Sequence, residues 1–185
     1  MSGHSLRAAI VVATGLVLAS CSSGGVPVSG VASVAGTGTL ESSAFEDGGS
    51  IPARFTCDGG DISPPVAWRA PDGASPGLDF VLVVVDVDAA GGGFVHWLAY
   101  HLPSSGSIPE GGPVPGNEGT NSFGAMGYRG PCPPGGDEPH RYRFRLYALL
   151  PSHTPVPAGL TVDELLGGIP SQRPVAEWSG TYSRA

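Results

Sequence analysis

The chain contains no lysine: all nine of its basic residues are arginine, set against sixteen acidic ones. Arg7 falls in the N-terminal leader described below, so the rest of the chain carries eight arginines and sixteen carboxylates, a net of −8. That balance excludes a nucleic-acid binder, whose affinity would come from phosphate neutralisation. The chain also lacks an apolar run that could cross a bilayer and stay, since the stretch Ala8–Leu18 is about half the required length. There is no internal repeat. No nucleophile elbow, His-Glu-x-x-His metal motif or free thiol beside a histidine is apparent, so the expectation is a protein that is not an enzyme and needs no cofactor.

What is present begins with Arg7 and the apolar residues that follow, the n-region and h-region of an export signal. The signal ends Leu18-Ala19-Ser20-Cys21, which resembles the bacterial lipobox: residues 1–20 are expected to be removed and Cys21 to carry lipid. The alternative, an ordinary signal in which Cys21 is coincidental, also places the protein outside the cytoplasm. Residues 21–49, rich in Ser, Gly, Ala and Val, read as a flexible tether, and 50–185 as one domain. Cys57 and Cys132 then remain as an even pair where disulfides persist, and a bond between them is expected. Two free thiols or a metal pair are the alternatives.

Beyond Gly49, short apolar runs alternate with Gly and Pro clusters, the pattern of a mostly β domain with one or few short helices. Strands are expected at Val66–Trp68, Phe80–Val87, Phe94–Leu102 and His140–Leu150. The second is continuously apolar, as a strand buried on both faces should be. In the last, His140, Tyr142, Phe144, Leu146 and Ala148 share the core face, and Arg141, Arg143 and Arg145 the solvent face. Thr161 should cap a short helix over Val162–Leu166, stopped by Gly167 and Gly168.

Polar clusters fall at strand ends: Asp86-Val87-Asp88, His96-Trp97, and Pro131-Cys132-Pro133-Pro134 leading to His140-Arg141-Tyr142. One carboxylate beside two imidazoles makes a mixed-sign site that suits a zwitterion, phosphate toward the histidines and ammonium toward Asp86. A zinc site of Asp86, His96 and His140 is the weaker alternative. His101 and His153 read as surface or turn residues.

Three stretches, FTCDGGDISPPVAW, DVDAAGGGFVHWLAYHLP and NSFGAMGYRGPCPPGGDEPHRYRFRLYAL, resemble the signatures of the phosphatidylethanolamine-binding protein family, in its bacterial Raf kinase inhibitor-like branch. The resemblance runs from about Phe45 to Arg184. It implies an antiparallel β-sandwich with a small anion pocket at one end. The pocket would be formed by Asp86, His96, His140, Tyr142 and the wall Gly130, Pro131, Pro133 and Pro134, with Asp88 as the family's second Asp. This chain has Asp86-Val87-Asp88-Ala89-Ala90 where the family usually has Asp-Pro-Asp-Ala-Pro, losing both prolines. The implied partners are a small phosphorylated or phospholipid headgroup, the membrane through the lipid anchor, and a possible protein partner, such as a kinase or protease that the domain inhibits. A hydrolase using an Asp86–His96 pair is a third reading.

Lipidation predicts that Cys21→Ala moves the protein from the membrane to the soluble fraction. Fractionation of cells expressing parent and variant checks this, and equal membrane partitioning would refute it.

Overall fold

A computed structural model describes residues 30–151 and 156–185; the leader, Cys21, the tether up to residue 29, and His153 lie outside the described residues. The strands are β1 (Thr39–Glu41), β2 (Gly49–Ser50), β3 (Val66–Arg69), β4 (Asp79–Asp86), β5 (Phe94–Leu102), β6 (Ser105–Ile108), β7 (Asn117–Glu118), β8 (His140–Leu149) and β9 (Ala176–Tyr182). One α-helix, α1 (Val162–Leu166), and one turn of 3-10 helix, Ala53–Phe55, lie among the described residues. A six-stranded sheet, ordered β2-β9-β8-β4-β5-β7, packs against a three-stranded sheet, β1-β3-β6. The pairing is antiparallel except that β2 lies parallel to β9, a departure from the all-antiparallel expectation.

The core between the sheets joins Leu40, Val66, Trp68 and Ile108 of the small sheet to Phe80, Leu82, Val84, Trp97, Phe144 and Leu146 of the large one. The alternate residues of β4, Val81 and Val83, face the other way into a second cluster with Leu98, Tyr147, Leu149 and Leu165 of α1. Strand β4 is therefore apolar throughout because both of its faces are covered. In β8 the solvent face is shorter than expected: Arg143 and Arg145 both pair with Glu177 on β9, but Tyr147 and Leu149 continue that face as buried residues.

Helix α1 starts and stops where its local chemistry dictates. The Thr161 hydroxyl accepts from the Glu164 N–H while the Glu164 carboxylate accepts from the Thr161 N–H, and Gly167 ends the helix in the left-handed conformation at φ 69°.

The tether expected over 21–49 is too long by about twenty residues. Val31 bridges Leu149, the Ala32 N–H donates to Ala148 O at 2.8 Å, β1 pairs with β3, and Leu40 and Phe45 are core residues. Its low periodicity hid this, because a three-residue strand contributes one inward side chain.

Cys57 and Cys132 form a disulfide, with Cα atoms 5.4 Å apart and a sequence separation of 75. Beside it, Asp58 accepts from the Tyr182 hydroxyl and the Arg184 guanidinium, holding the end of β9 to the same loop. Closing so long a loop restricts the unfolded chain by about 4 kcal/mol on the chain-entropy model. The double variant Cys57→Ala, Cys132→Ala should lose roughly that much unfolding free energy in denaturant titration. An unchanged midpoint would show that the cross-link contributes nothing.

Candidate functional site

The C-terminal end of β4 and the starts of β5 and β8 meet at one end of the large sheet. Register places Asp86 opposite Phe94 on one side and Tyr142 on the other. A cavity of about 330 Å³ opens there, lined by Asp86, Asp88, Ala89, Ala90, Phe94, His96, Phe123, Cys132, Pro133, Pro134, Asp137 and His140.

Asp86, only 4% exposed, spends both oxygens. Its Oδ1 accepts from the Asp88 and Ala89 N–H groups at 2.9 and 3.1 Å, and its Oδ2 lies 2.8 Å from His140 Nδ1. The loop after β4 therefore keeps its shape without the family's prolines: side-chain acceptors replace fixed φ angles, and the Val87 N–H adds a bond to Arg141 O. Gly91, Gly92 and Gly93 follow at positive φ, turning the chain back into β5.

His96 is buried, with Nδ1 2.7 Å from Arg129 O. A carbonyl only accepts, so Nδ1 carries the proton and Nε2 is left for another partner. Burial holds the pKa of His96 below the ordinary imidazole value. Its ring is caged edge-on by Phe94, Phe123 and Tyr142, with centroids 5.2 to 5.4 Å away.

Asp88 also reaches the cavity, but it is neutralised: the Arg141 backbone N–H and guanidinium donate to it at 2.6 to 2.9 Å. Those bonds hold its carboxyl down at about 2. Asp137, three residues before His140, lies 3.7 Å from His140 Nε2 and is half exposed.

Of the expected residues, Asp86, His96, Pro133, Pro134 and His140 are brought together; Gly130, Pro131 and Tyr142 are not on the cavity wall. Gly130 lies behind it, its N–H donating to Asp61 Oδ1 at 2.6 Å, and a Cβ there would collide with the Phe55 carbonyl and Thr56. Pro131 accepts from the Cys57 N–H. The Gly130 N–H is thus committed to Asp61, and Pro131 has no N–H to offer an anion. Tyr142 is fully buried behind His96, and burial first, then the nearby Asp86, pushes its hydroxyl pKa up. The Asp86–His96 pair of the hydrolase reading is replaced by Asp86–His140. No group of three metal-ligating side chains is arranged as a metal site among the described residues. The spelling Gly-x-Ser-x-Gly does occur, at Gly73–Gly77, but in the loop between β3 and β4, with Pro76 after the serine and no helix following. It does not have the strand-to-helix setting of a nucleophile elbow.

The residues not foreseen are Ala89, Ala90, Phe94, Phe123, Asp137 and the cavity-facing role of Cys132. Phe123 had a local signal: buried Asn121 accepts from the Phe123 and Ala125 N–H groups and donates to Gly127 O, a loop built around one asparagine.

Among known proteins, the chain is 45% identical over 125 residues to LppC of Mycobacterium tuberculosis, which carries the name of a lipoprotein. That alignment covers 66% of this chain and 60% of LppC, so the chain spans about three fifths of that relative's length. A UPF0098 protein of Methanothermobacter thermautotrophicus is 44% identical over 117 residues, 60% of this chain and 75% of that one. A solved phosphatidylethanolamine-binding protein homologue from Chlamydia trachomatis superposes with a TM-score of 0.67 at 33% identity, covering 80% of this chain and 99% of that one. YbcL of Escherichia coli, a solved member of the same family, gives 0.65 at 26% identity, covering 79% and 98%. The family model for phosphatidylethanolamine-binding proteins matches residues 41–182, and the chain belongs to that family.

Proposed function

We propose that this domain binds a small zwitterionic phosphate-bearing headgroup of the phosphoethanolamine kind, outside the cytoplasm and tethered to the membrane by lipid on Cys21. It acts by binding and not by catalysis. The observation that carries this reading is the pairing, in one cavity, of a buried Asp86–His140 unit with a second imidazole, His96, that keeps one nitrogen uncommitted. The lipoprotein name of the LppC relative supports the tether.

Charge sets the preference for a zwitterion. The cavity is lined by three carboxyl groups, of which Arg141 neutralises only Asp88. Asp86 and Asp137 favour an ammonium group, while a phosphate needs an imidazolium. Because the folded protein holds His96 below its unfolded value of about 6.5, the unfolded chain takes up that proton first. His96 therefore withdraws stability as pH falls below about 6.5, and a phosphate beside it restores that stability by favouring the charged ring.

A second reading has its own observation. Phe123, on the cavity wall yet 49% exposed, presents an apolar ring of the kind that contacts a protein partner, such as an inhibited kinase or protease.

Titration calorimetry with phosphate and phosphoethanolamine tests the first reading. Both should bind more tightly as pH falls below about 6.5. Asp86→Asn, which retains an acceptor for the Asp88 and Ala89 amides, should spare phosphate but weaken phosphoethanolamine, and His140→Ala should weaken both. Each lost charged contact costs roughly 1.5 to 3 kcal/mol. Unchanged affinities across the set would place the ligand elsewhere.

A further inference from the structure

The N-terminal segment and the cavity occupy opposite ends of the large sheet. Strand β8 begins at His140, in the cavity, and ends at Leu149, which bridges antiparallel to Val31. At the usual rise per residue the two points are about 30 Å apart. Direction follows from register: the Ala32 N–H donates to Ala148 O and the Leu150 N–H to Gly30 O, so pairing advances along β8 as one moves toward the N-terminus. Followed toward the N-terminus, the described chain therefore reaches Gly30 running away from the cavity.

Nine residue steps lead from Cys21 to Gly30, a contour of at most about 32 Å. To bring the cavity mouth to its own anchoring bilayer, that segment would have to double back and run fully extended along the whole sheet, or the domain would have to lie on its side. The second is opposed by charge, since a net of −8 with no lysine is repelled by anionic headgroups.

We infer that the cavity faces away from the membrane that anchors the protein, and that its phosphate-bearing ligand comes from solution and not from a headgroup of that membrane. This rests on the lipid anchor and headgroup reading proposed above, and it names the source of the ligand.

The lipidated full chain, reconstituted in vesicles, tests it in two ways. A fluorophore attached through Leu150→Cys, beside the exit of the N-terminal segment, should lose intensity to spin-labelled lipids, while one attached through Glu138→Cys, on the exposed loop at the cavity mouth, should not. Equal or stronger quenching at position 138 overturns the inference, and so does quenching at neither position in protein that floats with the vesicles; protein that does not float defeats the anchor reading instead. In the second arm, glycerophosphoethanolamine is titrated against protein in phosphatidylcholine vesicles with and without phosphatidylethanolamine. A headgroup within reach of the cavity would act at an effective concentration on the order of millimolar and, for a headgroup Kd of about 0.1 mM, raise the apparent Kd of the soluble ligand by about tenfold. The expected result is no change, and a tenfold rise overturns the assigned source. Absence of any glycerophosphoethanolamine binding would defeat the headgroup reading alone, with the quenching pair still deciding the orientation.

Discussion

The site depends on how one buried carboxyl group is satisfied. A carboxyl group at 4% exposure costs several kcal/mol unless each oxygen finds a partner, and Asp86 finds three: two amides of its own turn and the imidazole of His140. The bond to His140 crosses from β4 to β8, two residues before Tyr142, which the sheet register places beside Asp86. Take away the partner on β8 and Asp86 keeps only the two amides of its own turn, with one buried oxygen unsatisfied. The same residue thus closes the sheet end, shapes the loop and sets the polarity of the cavity.

The opposite wall is fixed by different means. Pro133 and Pro134 have little conformational freedom to lose, the disulfide ties Cys132 to Cys57, and Asp61 clamps Arg129 and Gly130 through one carboxylate. The three prolines of this wall carry no N–H and that of Gly130 is spent on Asp61, so on the proposed reading recognition falls chiefly to side chains, the two imidazoles and Asp86. Such a cavity is organised before the ligand arrives, so less of the binding free energy goes into ordering it.

Strands β4, β5 and β8 and helix α1 were legible because each obeys a strong local rule: a continuous apolar run, strict alternation, or a capping box with a glycine stop. Strands β1, β2, β6 and β7, of two to four residues, carry too few inward side chains to leave a period, and residues 30–49 therefore read as tether. At the site, the types of Asp86, His96 and His140 were enough to group them, but not to say which histidine would bond the aspartate. That depends on the β4–β8 register, and registry between strands 54 residues apart is a tertiary property. Gly130, Pro131 and Tyr142 were misplaced for the same reason: motif adjacency does not distinguish a residue on the cavity wall from one that supports it.

On the proposed lipid-anchor and headgroup reading, the fold also separates two requirements that compete. A binding site at a sheet end needs loops free of covering segments, whereas an N-terminal anchor needs a segment firmly docked on the domain. In this chain Val31, Ala32 and Val34 pack where β8 ends, sealing the far end of both hydrophobic clusters, so the docked segment covers surface that would otherwise be exposed and leaves the loop end open. The ten-residue β8 is the spacer between them. Its length follows from burial: each inward residue from Tyr142 to Ala148 fills the inter-sheet core, and shortening it would uncover that core before it brought the two ends closer together.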